Sequence, residues 1–308
     1  MDKTSLPPGN KRIYYGWVIV AVMALAGFTQ SAETFPVLGV FLKPMTEEFG
    51  WSRSSFAGAM TIGTVLGGIV AIGAGPLIDR FGSRWTLVIS FTVLGGTLVA
   101  MAGISRLWQF YALQIVGRML NMGVIALATI VVIPKWFVVK RGRAVAVGQL
   151  GGKFGNAITP LYVQALVNAG SWRLASLVAG IVIWAFSLLP SAIFLRRRPE
   201  DLGLLPDGAV PDELIEGNEP KGSEVERRPN QEISLTLKEV SKLPSFYLLI
   251  LAFSVASFAG PALFLHMIPF FTDQGLSANL AVAVVAVWSG SGAIGSLGSG
   301  FLAERYSM

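Results

Sequence analysis

The chain has 308 residues, of which 53% are hydrophobic and only 14% are charged, whereas soluble domains carry about 25% charged residues. So few charges exclude a soluble globular domain and favour lipid as the solvent of most side chains. With no Cys and one His, the chain offers no disulfide framework, thiolate metal site or cluster of His ligands. The net charge of +6 does not indicate nucleic-acid binding, because the basic residues lie in short connections between apolar runs.

Eight apolar segments are long enough, at 1.5 Å per residue, to cross a hydrocarbon core about 30 Å thick. They are residues 15–42, 54–77, 85–104, 108–134, 144–168, 174–195, 245–271 and 278–302. Stretches such as 63–78 show no polar stripe at a 3.6-residue period, so helices that are apolar on all sides are predicted. The chain is therefore expected to be an all-α membrane protein.

The basic residues predict how these segments are oriented. If the N-terminus is cytoplasmic, eighteen Lys and Arg lie in cytoplasmic segments, four lie outside and two lie within spans. The positive-inside rule then predicts a multi-pass protein of the plasma or inner membrane. Its predicted parts are a cytoplasmic N-terminus (1–14), a six-helix bundle (15–195), a cytoplasmic linker (196–243) and a partial second bundle (244–308).

An internal repeat supports the division into two bundles. At a shift of 225 residues the run from Gly73 to Phe81 aligns with the run from Gly298 to Tyr306, and an acid–Arg pair is kept in both copies. A second half of equal length would extend to about residue 420. The sequence therefore predicts a chain that stops after the eighth of twelve helices.

The run Gly75-Pro-Leu-Ile-Asp-Arg-Phe-Gly82-Ser-Arg84 resembles the loop signature G-x-L-x-D-R-x-G-R-R of the major facilitator superfamily, and departs from it at Ser83. Other motifs resemble the bacterial monocarboxylate-porter-like (oxalate/formate antiporter-like) branch. These are Tyr15-Gly-Trp17, Phe41-Leu-Lys-Pro44, Phe49-Gly-Trp51-Ser52, Trp136-Phe137, Arg141-Gly142, Trp172-Arg173, the run 197–203 with Pro206-Asp-Gly208, and His266 with Pro269.

The resemblance implies two pseudo-symmetric six-helix bundles, alternating access and small organic anions as substrates. This chain would hold the complete N-terminal bundle and the first two helices of the C-terminal bundle. The eighth segment has no ionisable residue, unlike the corresponding helix of animal monocarboxylate transporters, which disfavours lactate-type transport.

The resemblance also implies that the signature loop docks against the other bundle when the cytoplasmic gate closes. The predicted gating residues are Gly75, Asp79, Arg80, Gly82 and Arg84, with Gly300, Glu304 and Arg305 in the second copy. Gly75 is expected to allow close helix packing, Gly82 to allow a tight turn, and Asp79 to bond the N-terminus of a neighbouring helix. The alternative is an ordinary loop that carries topology charges.

Three predicted helices carry polar side chains at helical spacing. They are Gln30, Glu33 and Thr34 on the first, Gln114, Arg118 and Asn121 on the fourth, and Gln149, Lys153 and Asn156 on the fifth. Ionisable groups within a span are costly and are functional candidates. The rise per residue places these near the midplane, where transporter sites lie. Glu33 and Arg118 are expected to meet as a pair, and Gln30 to lie level with Asn121.

The predicted substrate-binding residues are Gln30, Arg118, Asn121, Gln149, Lys153, Asn156 and His266, and the predicted proton-coupling residue is Glu33. Each charged candidate has a structural alternative. In these alternatives Arg118 serves conformational coupling, Lys153 binds main-chain carbonyls, and Glu33 only neutralises Arg118. For His266 the alternative is a gate or packing role.

The charges predicted within the spans sum to +1, which suits a carboxylate substrate. The sequence shows no ATPase motif, catalytic triad, paired catalytic carboxylates or metal-ligand spacing, so neither an enzyme nor a cofactor or metal is predicted. The leading hypothesis is a secondary transporter of a small monocarboxylate or dicarboxylate, with proton coupling left open, whose other partner is the lipid bilayer. The alternative is a truncated, non-transporting remnant or a helical subunit that binds a partner. The substrate's identity, the coupling ion and the oligomeric state do not follow from the sequence.

Overall fold

A computed structural model describes residues 14–138, 140–208 and 240–306 of the chain, with side chains for all of these except 256–262, 293 and 296–306. The predicted N-terminal segment up to residue 13 and most of the linker, 209–239, lie outside the described residues. All regular elements in the described part are helical. The α-helices fall on the eight predicted segments, whereas two short 3₁₀ turns, Pro199–Leu202 and Pro206–Gly208, lie at the start of the predicted linker.

We number the helices 1 to 8 after those segments. Helix 1 comprises Tyr15–Gln30 and Phe35–Phe49, helices 2 and 3 share Arg53–Met101, and helix 4 comprises Leu107–Arg118 and Ala126–Val132. Helix 5 is Arg141–Ala169, helix 6 comprises Trp172–Ile183 and Leu189–Phe194, helix 7 is Pro244–Asp273 and helix 8 is Ala278–Tyr306. Within the described residues, four helical stretches are long and apolar enough to cross a membrane, namely Tyr15–Phe49, Arg53–Met101, Leu107–Lys135 and Trp172–Phe194.

The stretch Arg53–Met101 is 49 residues long, about twice the length that a hydrocarbon core requires. It is divided at Gly82, whose φ of 77° and ψ of 151° are not helical. Such a positive φ is readily available only to glycine. The expectation that Gly82 forms the turn between helices 2 and 3 agrees with this geometry.

Helix 1 is interrupted near its middle. A turn of 3₁₀ helix at Ser31–Glu33 ends its first half, and Thr34 is extended (φ −89°, ψ 161°) before the second half begins at Phe35. Pro36 accounts for the break, because proline has no N–H to donate and disfavours helical geometry in the residue before it. The break leaves main-chain carbonyl groups free to bind side chains.

Helices 4 and 6 also depart from regular α-helix. Helix 4 contains a π-helical segment, Met119–Ile125, directly after Arg118, and helix 6 contains another, Trp184–Leu188. π segments are rare and are often found at functional sites. Ser187 in the second segment shares a short hydrogen bond with Thr29 of helix 1, so both segments lie on helices that contact helix 1 near its break.

Helix 5 packs directly on the main chain of helix 1. A Cβ atom at Gly151 would overlap the carbonyl oxygen of Ala24, and one at Gly155 would lie 2.5 Å from the carbonyl oxygen of Phe28. Small residues at such positions let two helix backbones touch. At Gly151 and Gly155 the seam between helices 1 and 5 therefore has no room for a side chain.

Helices 7 and 8 contact helices 1 and 5 at one end of the molecule. Helix 7 lies against the second half of helix 1, and helix 8 lies along helix 5. Arg53 Nη1 donates to Asp273 Oδ2 at 2.7 Å, and Asn168 Nδ2 donates to Asn279 Oδ1 at 2.7 Å. In contrast, the side chains of Tyr247 and its neighbours near the start of helix 7 are exposed. The two parts are thus joined at the end where helix 7 finishes and helix 8 begins.

The close packing of helices 1 and 5 predicts that a Gly→Ala substitution inside the seam and one outside it have different effects on stability. Gly151→Ala should lower the melting temperature of the purified protein, because overpacking costs about 1–3 kcal/mol. Gly68→Ala, on helix 2, adds a Cβ atom that would have no neighbouring atom within 4 Å. It should leave the melting temperature unchanged or raise it, because alanine favours helix by about 1 kcal/mol. Equal melting temperatures for the two variants would contradict the close contact between Gly151 and the main chain of Ala24.

Candidate substrate site

The polar residues predicted on helices 1 and 4 are in contact. Gln30 Nε2 donates a short hydrogen bond to Asn121 Oδ1 and lies 3.3 Å from the Asn121 carbonyl oxygen. Asn121 belongs to the π-helical segment of helix 4 and is buried. The expectation that Gln30 and Asn121 lie at one level agrees with this contact.

The polar residues of helix 5 reach helix 1 at its break. Thr34 Oγ1 donates to Asn156 Oδ1 at 2.9 Å, and the hydroxyls of Ser31 and Thr159 lie 2.6 Å apart. The break therefore joins the polar side chains of three helices into one cluster, with helix 1 between helices 4 and 5.

Arg118 has no exposed surface. Its Nη1 donates to the main-chain oxygen of Glu33 at 3.0 Å, and its Nε donates to Thr64 Oγ1 at 3.0 Å. Its guanidinium carbon lies 4.2 Å from the ring centroid of Phe35, within the range of a cation–π interaction. The carbonyl of Glu33 is available because the extended Thr34 ends the helix just after it.

The expected ion pair between Glu33 and Arg118 does not form within the described residues, because Arg118 binds the main-chain oxygen of Glu33 and not its carboxyl group. Within the described residues the Glu33 carboxyl group has no ion-pair partner, and its Oε2 has no hydrogen bond although Glu33 is 2% exposed. The carboxyl group lies instead beside Gly117, where a Cβ atom would be 3.4 Å from Oε1. An unpaired carboxylate buried in this way is costly when it is charged.

Several buried polar atoms at this level have no hydrogen-bond partner in the described part of the chain. They are Glu33 Oε2, Gln114 Oε1, Arg118 Nη2 and Asn121 Nδ2. Buried polar atoms are normally paired, and exceptions often mark an unfilled role. Three of the four belong to residues predicted as substrate or proton ligands.

Lys153 is half-buried on helix 5. Its ammonium group makes no hydrogen bond or ion pair with the residues that the structure describes. Gln149, one helical turn before it, is exposed, and Asn156, one turn after it, is half-buried. These three residues share a helix face that differs from the glycine face packed on helix 1.

His266 lies apart from these residues. It is exposed on helix 7 and lines an open cleft with residues of helix 2, among them Arg53, Gly58 and Thr61. None of the polar residues predicted on helices 1, 4 and 5 lines that cleft. The structure therefore does not join His266 to the polar cluster.

The signature loop has some of its expected features. Arg84 Nη2 donates to the carbonyl oxygen of Ala192 at 2.5 Å, which ties the start of helix 3 to helix 6. Arg80 is exposed, with its guanidinium 5.5 Å from the Phe81 ring centroid. Asp79 is also exposed, and its carboxylate makes no hydrogen bond with the described residues.

The described residues do not show two of the contacts expected for this loop. Asp79 accepts through its main-chain oxygen from Arg197, at 3.4 Å, and not through its side chain at a helix N-terminus. At Gly75 a Cβ atom would meet nothing within 4 Å; the close approaches of helix 2 are at Gly63 and Gly67, which pack on helix 4. The side chains of Gly300, Glu304 and Arg305 lie outside the described residues, so the second copy of the motif stays a prediction.

Two contacts of Arg118 had no signal in the sequence pattern. Thr64 and Phe35 were not among the predicted site residues, because neither carries charge or belongs to a polar stripe. Thr64 is hydrogen-bonded to its own helix through Met60, the usual arrangement for threonine in a helix. The only sequence signal near them is Pro36, which marks the break in helix 1.

Comparison with known proteins gives consistent results. A family model described as Major Facilitator Superfamily matches residues 16–308. The chain is 24% identical over 308 residues to the uncharacterized transporter ESBP6 of Saccharomyces cerevisiae, covering 98% of this chain and 42% of that protein. It is 33% identical over 103 residues to the 4-hydroxybenzoate transporter PcaK of Pseudomonas putida, covering 32% of this chain and 22% of that protein.

A third relative is the probable anion transporter 4, chloroplastic, of Arabidopsis thaliana, 27% identical over 157 residues, or 49% of this chain and 29% of that protein. The chain thus spans less than half of the length of these relatives. Transporter names recur among them, and the family model covers nearly the whole of the helical sequence. The chain is therefore an integral membrane protein that belongs to the major facilitator superfamily.

Proposed function

We propose that the protein is a secondary transporter of a small organic anion, a monocarboxylate or dicarboxylate, that works by alternating access. The observation that carries the proposal is that the ammonium group of Lys153 has no hydrogen-bond or ion-pair partner in the described residues, while Gln149 and Asn156 stand one turn before and one turn after it on helix 5. A cation near the middle of a bilayer costs about 2.5–3.5 kcal/mol on insertion scales. A bound carboxylate would offset that cost.

The amides around Lys153 suit a carboxylate. Asn156 Oδ1 already accepts from Thr34, so the amide nitrogen of Asn156 is the group that can donate to a ligand. Gln149 is exposed and offers the same chemistry one turn away. One cation and two neutral donors bind an anion without adding further charge to the bundle.

Arg118 is the second cation of the proposed site. Its Nη2 is buried without a hydrogen bond, while its other nitrogen atoms bind Glu33 and Thr64. Arginine can bind a carboxylate through two parallel hydrogen bonds. Arg118 is therefore proposed to bind substrate only after its present contacts rearrange, which makes Lys153 the first anion ligand.

Glu33 is proposed to couple the transport of the anion to a proton. Its carboxyl group is buried beside Gly117 without an ion pair in the described residues, so a neutral form suits the position described here. In that form Glu33 leaves the charge of Arg118 uncompensated and available to an anion. Release of the proton would then restore a counter-charge for Arg118 once the anion has left.

The relatives support the class of substrate. One has a name that specifies 4-hydroxybenzoate, which is an aromatic carboxylate, and another is named as a probable anion transporter. The motifs Trp136-Phe137 and Pro206-Asp-Gly208 further favour the bacterial monocarboxylate-porter-like branch. Neither observation selects one carboxylate, so the proposal stays at the level of the chemical class.

The predicted cytoplasmic N-terminus assigns each end of the helices to one side of the membrane. With that orientation the Arg53–Asp273 and Asn168–Asn279 contacts lie at the outer end. The two parts of the molecule would then be closed to the outside, and the site around Lys153 would be reached from the cytoplasm. The signature loop at Gly82 would close the opposite end in the other state.

The first test concerns the charge of the ligand. Carboxylates should raise the melting temperature of the purified protein. Lys153→Gln should remove most of that shift, because it removes the cation proposed to bind the carboxylate. Lys140→Gln, an exposed lysine at the start of the same helix, is the matched control and should keep the shift. If sugars or amines stabilise the protein and carboxylates do not, the anion proposal fails; the absence of any ligand would favour a non-transporting subunit.

The second test concerns the proton. Carboxylate binding should strengthen as the pH falls, and Glu33→Gln, which mimics the protonated group, should bind the carboxylate with little dependence on pH. Glu47→Gln, an exposed acid at the end of helix 1, should behave like the unaltered protein. Binding is measured by isothermal titration at a series of pH values from mildly acidic to mildly alkaline. A Glu33→Gln variant that keeps the pH dependence would rule out Glu33 as the coupling group.

The third test concerns orientation. Single cysteines are introduced at the exposed positions Ala169 and Gly142, and the chain has no other Cys. In intact cells an impermeant thiol reagent should label Ala169→Cys and should label Gly142→Cys only after the cells are opened. The reverse pattern would place the N-terminus outside, against the positive-inside rule.

A further inference from the structure

The chain does not leave the bundle where helix 6 ends. Residues 197–208 fold into two short 3₁₀ turns, Pro199–Leu202 and Pro206–Gly208, and run back along the end of the six-helix bundle. Pro199 is buried, and Leu204 packs against the hydrophobic core. This segment contains sequence motifs to which the proposed function assigns no role.

Asp207 binds the segment to the start of helix 5. Its carboxylate accepts hydrogen bonds from the main-chain N–H groups of Val138, at 2.8 Å, and Lys140, at 3.0 Å, and its own N–H donates to the Trp136 oxygen at 3.1 Å. Lys140 is the N-cap residue of helix 5. A carboxylate at this position satisfies free N–H groups and interacts favourably with the helix dipole.

The backbone of Asp207 is strained in making these bonds. Its φ of 60° is the one positive φ at a non-glycine residue in the described part of the chain. Such a conformation persists only where surrounding contacts hold it, although aspartate tolerates it better than most residues. The two carboxylate bonds and the bond from the Asp207 N–H to the Trp136 oxygen are among the contacts that hold it here.

The other end of the segment lies on the turn between helices 2 and 3. Arg197 Nη2 is 3.4 Å from the main-chain oxygen of Asp79. The aliphatic part of the same side chain covers Gly82, with its Cδ 3.7 Å from the position of a Cβ atom there. Arg197 thus contacts the signature loop at the residue that turns the chain.

A third contact joins the segment to the start of helix 1. The hydroxyl of Tyr14 lies 3.1 Å from the carbonyl oxygens of both Leu205 and Trp136. The Tyr14 ring also meets the Phe137 ring edge-on, at a centroid distance of 5.6 Å. One hydroxyl therefore bridges the segment, the start of helix 1 and the connection between helices 4 and 5.

We propose that residues 197–208 are a clamp that holds the start of helix 1, the helix 2–3 turn and the helix 4–5 connection together as one body, and that Asp207 is the positioning residue that anchors it. The role of this clamp rests on the proposed function, since alternating access requires each bundle to move as a unit. The hydrogen bonds described between the two bundles, Arg53–Asp273 and Asn168–Asn279, lie at the far end of the molecule, so these connections need support of their own. The clamp supplies that support from within the bundle.

Amide hydrogen exchange of the purified protein without substrate tests the clamp directly. Asp207→Gly keeps the positive φ available and removes both acceptors, so the amides of Val138 and Lys140 should exchange about tenfold faster. The residues around Gly82 should also exchange faster, although Asp207 does not touch them. Asp207→Asn keeps one oxygen acceptor and should give an intermediate effect, whereas the exposed Glu200→Gln, in the same segment, should give none.

The outcomes separate a clamp from a local cap. Faster exchange at residues 138–141 alone would show that Asp207 only caps helix 5, and the clamp would be wrong. Unchanged exchange at residues 138–141 would overturn the anchor role itself. Because no substrate is present, failure of the carboxylate proposal would not affect this measurement, and failure of the clamp would not affect carboxylate binding.

Discussion

The burial of Arg118 is the constraint on which the centre of the bundle depends. A guanidinium group with no exposed surface needs partners for its charge and for its N–H groups. The break in helix 1 supplies the first partner, the carbonyl oxygen of Glu33, and places the Phe35 ring over the guanidinium. Thr64 of helix 2 supplies the second hydrogen-bond acceptor for Arg118. One cation thus explains why helices 1, 2 and 4 meet at the break that Pro36 makes in helix 1.

The glycine residues near Arg118 belong to the same arrangement. Gly63 lies against the Arg118 side chain, and Gly117 leaves space for the Glu33 carboxyl group. Larger residues there would push the polar atoms apart or fill the space with apolar atoms. Packing and charge are therefore not independent at this level, since the small residues set the distances over which the polar groups act.

The motifs that resemble one branch of the superfamily collect at the two ends of the bundle. At one end the rings of Tyr14, Trp17, Trp136 and Phe137 pack together near Asp207. At the other end Phe49 stacks on Trp51 at a centroid distance of 4.3 Å, and Glu48 accepts from both Trp172 and Arg173. Aromatic rings with polar edges suit a membrane interface. These motifs hold the helix ends, while the polar cluster lies between them.

The sequence was sufficient to predict the helices, the turn at Gly82 and the convergence of polar residues on helices 1, 4 and 5. Hydrophobic length and helical spacing determine these features locally. It was not sufficient for the partner of the Glu33 carboxyl group or for the π segments, because both depend on how neighbouring helices fit. His266 shows the same limit: its depth along helix 7 could be predicted from the sequence, but the direction in which it faces depends on how helix 7 packs against helix 1.

The contact of Gly151 with Ala24 also has a consequence for biosynthesis. The two residues are more than 120 positions apart in the chain, so synthesis at about 5–20 residues per second separates them by roughly 6–25 s. During that interval helix 1 is in the membrane with its broken middle turn lacking the hydroxyl and amide partners that helix 5 later provides. The nascent chain must keep those polar groups hydrated or shielded until helix 5 arrives. The insertion of helix 5 is thus the step at which Ser31 and Thr34 gain their partners on that helix.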